Sequence, residues 1–550
     1  MRLKYRTEQT NQTSHQRIQL LSWRSLAIAM LIVGIVFRFV NLDKKVYWHD
    51  ETFTSLRVSA HPQQELIEHT FVGREVSAAE LQAYQHLDLN RGLGQVLHWL
   101  AHEDPHHPPL YTVTLRLWLQ TIGDSVATTR LFSAMISLLI FPCFYWLCWE
   151  LFHSSLAGWV GVALMSVSPF HVVFAQEARE YALWTLMTVV STAALLRALR
   201  SPTRRRWLLY TGTLILSFYT SLLALPVALG QGIYVLLRDY QRRSPTHQPA
   251  DTKQVRQQGI AWAVSFLYAV LAFTPWLWVL MHNFSSFTAG MAWIHQPLPF
   301  EIWLKLWGLN LGRAFIDFNS YVDDPTTFWA IAPILLLELI SLYWICRSTS
   351  KRIWLLIVIL MLVIAVPIAL ADLLLGGQRS TATRYLVPLE LGLQLLIVGT
   401  LVTQLKAIQH WRRVVSGCIL VTLLLVGGLS SFASIQADAW WNKGINYYYP
   451  QVAQVINRSD RPLIISDAFD PNPGDILALS YLVNPNVRFL LLPQIQDSFT
   501  LPQGIDTSRS LFLIGLPDPF LSEFAKQYKV NLIPLVKGVW RSQNFNVLNG

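Results

Sequence analysis

Runs of roughly 20 apolar residues recur along the chain, and short polar or basic stretches separate them. Such a run can satisfy its backbone amides within one helix while showing only hydrocarbon to lipid, so each predicts a membrane-spanning helix. The runs fall near residues 20–41, 127–149, 156–175, 180–198, 207–221, 222–238, 259–281, 328–346, 353–375, 385–405 and 414–434, about eleven spans in all. The first is too long for a signal-peptide core and lacks a small-residue cleavage site, so it is expected to remain as an anchor.

Basic residues cluster in alternate connections: the N-terminal tail, Arg204-Arg205-Arg206, the stretch from Arg238 to Arg256, Arg347 to Arg352, and Lys406 to Arg413. The positive-inside rule places all of these in the cytoplasm. Glu150 to Ser155 carry no Lys or Arg, so the parity there follows from its neighbours. The expected layout is a cytoplasmic tail over 1–19, a membrane domain over 20–434 with a large external loop at 42–126, and an extracytoplasmic domain over 435–550. The segment from His107 to Gly123 is apolar but interrupted by Arg116 and short for a span, which predicts a helix lying along the outer surface.

Beyond Ala437 the apolar runs shorten to strand length, as in Leu463-Ile464-Ile465, Phe489 to Leu492 and Leu511 to Ile514. Pro, Asn and Asp punctuate them, and a helical pattern covers Phe520 to Tyr528, so a small α/β domain is expected.

Composition agrees with the pattern: 53% of residues are hydrophobic and 14% charged, against roughly a quarter charged in soluble domains. The net charge of +10 is spread over the inter-span clusters, which argues for membrane orientation and against a nucleic-acid partner. Cys143, Cys148, Cys346 and Cys418 lie inside apolar runs without metal-site spacing and read as small core residues.

Two acidic clusters stand out. Tyr47-Trp48-His49-Asp50-Glu51 follows the outer end of the first span, and Gln176-Glu177-Ala178-Arg179-Glu180 returns to the same side of the membrane. The two are expected to converge on one cavity that opens away from the cytosol. Adjacent, partly desolvated carboxylates can have a pKa raised toward the range of a general base, whereas isolated surface carboxylates are usually only solvated.

Taken with His106-His107-Pro108-Pro109-Leu110, Gly123-Asp124, Arg130-Leu131 and Ser168-Pro169-Phe170, these clusters resemble the GT-C fold membrane glycosyltransferases. The likeness is to the protein O-mannosyltransferase and aminoarabinose-transferase superfamily in particular. Asp50 and Glu51 match that superfamily's external acidic pair, and His107 to Leu110 match its His/Lys-Pro-Pro-Leu element. The agreement covers about the first 200 residues; Gly376-Gly377-Gln378-Arg379 and Arg384-Tyr385 extend it less sharply. It implies an α-helical polytopic enzyme that takes a hexose or pentose from a polyprenyl phosphate and transfers it to an extracytoplasmic lipid, glycan or protein. It also implies no required cofactor and a multi-pass location in the plasma (inner) membrane.

A lipid phosphate is already a good leaving group, so the chemistry needs a base and a cationic clamp more than a strong acid. Asp50 is the candidate base, and an inverting single displacement is expected. Glu51 would orient the acceptor or exchange roles with Asp50. Arg384, at the start of the tenth span, leads the clamp candidates, followed by Arg379 and Arg179, since guanidinium binds phosphate through a fork. The plain alternative is arginines that snorkel to headgroups.

His107 either faces the phosphate or caps a turn, and Tyr385 adjoins the donor. Glu177 either orients the acceptor, holds Arg179 or complements a helix start. Trp293, His295, Trp303, Trp307, Arg313 and Asp323-Asp324 suit sugar stacking or an interfacial helix alike. Glu338, mid-span, is expected to face the bundle interior. Asp50-Glu51 could take a divalent cation, although no accompanying His or carboxylate set has metal-ligand spacing. The competing class is a transporter or lipid flippase, which usually shows internal repeats and a midplane site that this chain lacks.

Overall fold

The structure, a computed structural model, describes residues 22–240, 249–320, 325–495 and 502–544. Each of the apolar runs is helical. Among the described residues eight helices are long and apolar enough to cross a membrane: Ser22–Phe39, Val126–Phe152, Tyr181–Arg200, Gln254–His282, Ile331–Ser348, Lys351–Leu375, Thr383–Leu405 and His410–Gln436. A ninth span is broken into Ser155–Ser166 and Pro169–Ala175, bent by 61°. Two more, Arg204–Phe218 and Ala224–Tyr240, have 15 and 17 residues and are short for a full crossing. The chain is an integral multi-pass membrane protein. Leu208, Leu236, Leu271 and Leu339 are exposed on these helices, as lipid-facing side chains must be. Cys148 is buried as expected of a core residue, but Cys346 and Cys418 are exposed, because they fall on outward helix faces that an all-round apolar run does not distinguish.

Contacts divide the chain into two units. The helical unit comprises Met1–Val40, Asp104–Tyr111 and Arg130–Ile435. Its broken helix has a clear physical cause. Pro169 has no N–H to offer the carbonyl of Met165, and the Phe170 N–H goes to the carbonyl of Arg313 instead of Ser166 (3.2 Å). Arg38, 1% exposed, takes over both carbonyls, donating from Nη1 to Ser166 O (2.8 Å) and from Nη2 to Met165 O (3.2 Å). Ser431 Oγ donates to the carbonyl of Val167 (3.0 Å), so the interruption is satisfied without water. Gly34 is required there: a Cβ would lie 2.4 Å from the Ser166 carbonyl oxygen. Gln176 closes the first helix in turn, its Nε2 donating to the carbonyls of Phe37 and Val40 at 2.8 Å each.

The second unit comprises Asn41–Glu103, Thr112–Thr129 and Gln436–Gly550. Its centre is a six-stranded mixed sheet of β1 (Arg74–Ser77), β2 (Leu463–Asp467), β3 (Arg488–Leu492), β4 (Leu511–Ile514), β5 (Val530–Val536) and β6 (Val539–Asn544), in the order β1-β3-β2-β4-β6-β5. The central β2 runs parallel to both β3 and β4. It is buried along its whole length, as the unbroken Leu-Ile-Ile run requires of a strand covered on both faces. Alternation sorts the side chains: Ile464, Phe489 and Phe512 enter one core, Leu463, Ile465, Leu490 and Leu513 the other.

The edge strand β1 comes from the long loop, pairing antiparallel with β3 so that Val76 faces Phe489. Trp48, Leu66 and Phe71 join the same core. The segment expected as a surface helix is helical over Leu110–Ile122, with Leu117 and Ile122 exposed and Arg116 buried. Arg116 donates to the carbonyls of Val58 (2.6 Å) and Asp88 (2.7 Å) and also to that of Arg91, so backbone oxygens satisfy its buried guanidinium.

Candidate active site

In the helical unit the broken span delivers the turn Glu177–Glu180 ahead of the Tyr181–Arg200 helix. Glu177 is wholly buried and Arg179 is 7% exposed. A guanidinium of Arg179 donates to Nε2 of His107, and Nδ1 of His107 lies 2.7 Å from Asp104 Oδ1. Guanidinium has only protons to give, so Nε2 must offer its lone pair and Nδ1 must carry the proton that Asp104 accepts. The ring is thereby oriented with Nδ1 toward Asp104 and Nε2 toward Arg179. Glu180 flanks the pair, with carboxylate oxygens 3.5 Å from both His107 Nε2 and Arg179 Nε. The His106 ring packs on His107, centroids 4.2 Å apart. Burial, opposed by Asp104 and aided by His107 and Arg179, pulls the His106 pKa down to about 4.

Asp104, His106 and His107 also bring three donor atoms within 4.8 Å of one another, a span one cation could bridge. Metal on His107 Nδ1 would leave the ring proton on Nε2, facing a guanidinium that also donates. As arranged, Asp104 and His107 form a hydrogen-bonded relay that orients Arg179, and His106 packs beside it. Of this group the sequence singles out His106 and His107 but not Asp104, whose signal is the run Glu103-Asp104-Pro105-His106-His107.

A second cationic site of the same unit lies at the Gly376–Leu386 loop. The guanidinium of Arg384 sits 4.9 Å from the Trp293 ring centroid and 5.5 Å from that of Tyr385. Gln378 holds Trp293 in place by donating to its carbonyl (2.9 Å). Arg379 is engaged differently: Asp372 accepts from its Nη1 (3.1 Å) and backbone N–H (2.9 Å), and from the N–H (2.7 Å) and hydroxyl (2.6 Å) of Ser380. Gly377 has φ of +128°, and a Cβ would meet the Ile294 carbonyl oxygen at 2.6 Å, so only glycine makes this turn.

Trp303 and Trp307 both donate their indole N–H to Ser380 Oγ at 3.0 Å, which commits them to holding the loop. Arg313 is likewise committed, donating to Asn310 Oδ1 (2.6 Å) and Thr383 Oγ1 (2.7 Å). His295 is exposed, Glu338 is buried as expected, and Asp323-Asp324 lie outside the described residues.

In the second unit Asp50 and Glu51 occupy the first turn of the His49–Ser59 helix, where negative charge complements the helix dipole. Their environments differ. Asp50 is partly exposed, whereas Glu51 is 0% exposed and its Oε2 accepts from Lys443 Nζ at 2.9 Å. Burial works against charge on His49, but its hydrogen bond to Asp475 and the charges of Asp475, Asp50 and Asp470 outweigh it and raise its pKa.

The chain is similar to two solved membrane proteins. ArnT from Cupriavidus metallidurans bound to undecaprenyl phosphate matches at 13% identity with a TM-score of 0.49, covering 95% of this chain and 98% of that one. The archaeal oligosaccharyltransferase AglB from Archaeoglobus fulgidus, in complex with an inhibitory peptide and a dolichol-phosphate, matches at 10% identity with a TM-score of 0.46. That likeness covers 84% of this chain and 64% of AglB. No family model and no curated protein matches.

Proposed function

We propose that this protein is an integral-membrane glycosyltransferase that moves a sugar from a polyprenyl phosphate to an acceptor on the extracytoplasmic side. The observation that carries this reading is the unequal fate of the two neighbouring acids: Glu51 is buried on Lys443, while Asp50 stays partly exposed. Glu51 is thereby closed off from solvent, while the Asp50 carboxylate keeps the solvent access through which a hydroxyl can approach. Asp50 is the base that takes the acceptor proton as the sugar's anomeric carbon passes from phosphate to acceptor oxygen, with inversion.

Arg384 holds the phosphate, its plane set by Trp293 and Tyr385, and Arg179 is a second cation aimed by the Asp104–His107 relay. Arg379 shapes the loop through Asp372, and wholly buried Glu177 supports the turn that carries Arg179. The tail and basic connections face the cytoplasm and the α/β unit faces outward, in keeping with the distribution of Lys and Arg.

The test is incubation of the purified full-length protein with a panel of undecaprenyl-phosphoryl hexoses and pentoses, following release of undecaprenyl phosphate. Asp50→Asn is expected to lower turnover by at least about a hundredfold while the protein stays folded. Consumption of no donor in the panel, or full turnover by Asp50→Asn, rejects this reading.

A further inference from the structure

The helix that carries Asp50 has no cap of its own. Trp48, at its N-cap position, makes no side-chain cap bond. The N–H of His49, one of the orphan donors of a helix start, is instead accepted by Asn446 Oδ1 at 2.7 Å. Asn446 Nδ2 donates onward to Asp475 Oδ1 (3.0 Å), the same atom that His49 Nδ1 approaches at 3.3 Å. Two residues further along, Glu51 meets Lys443. Both side chains are buried, at 0% and 1% exposed, and the Lys443 ammonium also lies 5.8 Å from the centre of the Trp48 ring. The chain reaches this position through Gly444, whose φ of +50° and ψ of −121° suit only glycine.

A buried ion pair contributes little net stability, because desolvating both charges offsets their attraction; breaking one, however, strands a charge in the interior. Its use is to fix register. Successive helical residues project about 100° apart, so anchoring Glu51 inward sets the direction in which Asp50 points. We infer that Lys443 is a positioning residue for Asp50, and that the segment Trp440–Asn446 of the C-terminal region is part of the catalytic apparatus. This rests on Asp50 acting as the base.

The experiment compares wild type, Asp50→Asn, Lys443→Met and the double variant Glu51→Gln/Lys443→Met as full-length protein in lipid nanodiscs. The readouts are kcat and KM for an undecaprenyl-phosphoryl sugar of the panel, together with amide hydrogen exchange of peptides within 48–59. Lys443→Met is expected to lower kcat on the order of a hundredfold. Its KM should change less than roughly threefold, because donor binding is not involved. Exchange in 48–59 should accelerate.

The double variant, which removes both charges of the pair together, should recover protection in 48–59 and part of kcat. A general loss of folding would not reverse on adding a second substitution. Unchanged kcat or unchanged exchange in Lys443→Met overturns the inference. Failure of the base assignment looks different: Asp50→Asn keeps full turnover while Lys443→Met still loosens 48–59, and Lys443 then has no catalytic role.

Discussion

A pair of histidines is central to the helical unit's polar cluster. His107 is held in one orientation by Asp104 and Arg179, and His106 beside it is pushed toward neutrality, chiefly by burial. With a folded pKa near 4 against an ordinary 6.5, His106 takes a proton far more readily in the unfolded chain. Stability therefore falls as pH drops from 6.5 toward 4, by at most about 3 kcal/mol from this one group. Thermal unfolding at pH 7 and pH 5 should show this slope in the wild type and a shallower one in His106→Asn. At this scale the candidate residues were largely legible: Asp50, His107, Arg179 and Arg384 are polar groups at the ends of apolar runs. Their roles were less so. Arg379 reads as a clamp candidate, and Trp303 and Trp307 as suited to sugar stacking or an interfacial helix alike; Asp372 and Ser380, which engage them, lie 7 to 77 residues away in sequence.

Among the elements, the broken span shows how backbone needs select side chains. The Ser168-Pro169 pair announces an interruption, because proline cannot donate within a helix. Where the released carbonyls find partners is not a local property: Arg38 comes from 128 residues earlier. Arg38→Met should leave the Met165 and Ser166 carbonyls stranded in a water-poor interior and cost roughly 3 kcal/mol or more. A lowered melting temperature in detergent, with donor-binding residues untouched, is the expected result. The same distinction explains the helix after Pro109. Arg116 marks the apolar run as too polar for a span, but the backbone oxygens of Val58, Asp88 and Arg91 that receive it are not a local property of the sequence.

For the molecule as a whole, the long loop after the first span and the C-terminal region share one hydrophobic core. Val46, Trp48, Leu66, Phe71 and Val76 pack with Ile464, Phe489 and Phe512. Deleting residues 436–550 would expose these loop side chains, each worth about 1.5–3 kcal/mol of burial. Such a truncation is expected to aggregate on size-exclusion chromatography and to lack activity, whereas a stable monodisperse product would contradict the shared core. The apolar runs, the basic connections and the strand-length segments after Ala437 were enough by themselves to determine a polytopic helical protein with an appended α/β fold, since periodicity and run length act over neighbouring residues. Tertiary structure alone decided which carboxylate is buried. Glu51 and Lys443 stand 392 residues apart, and a lysine in a mixed polar stretch carries no local mark of the partner that folding brings to it.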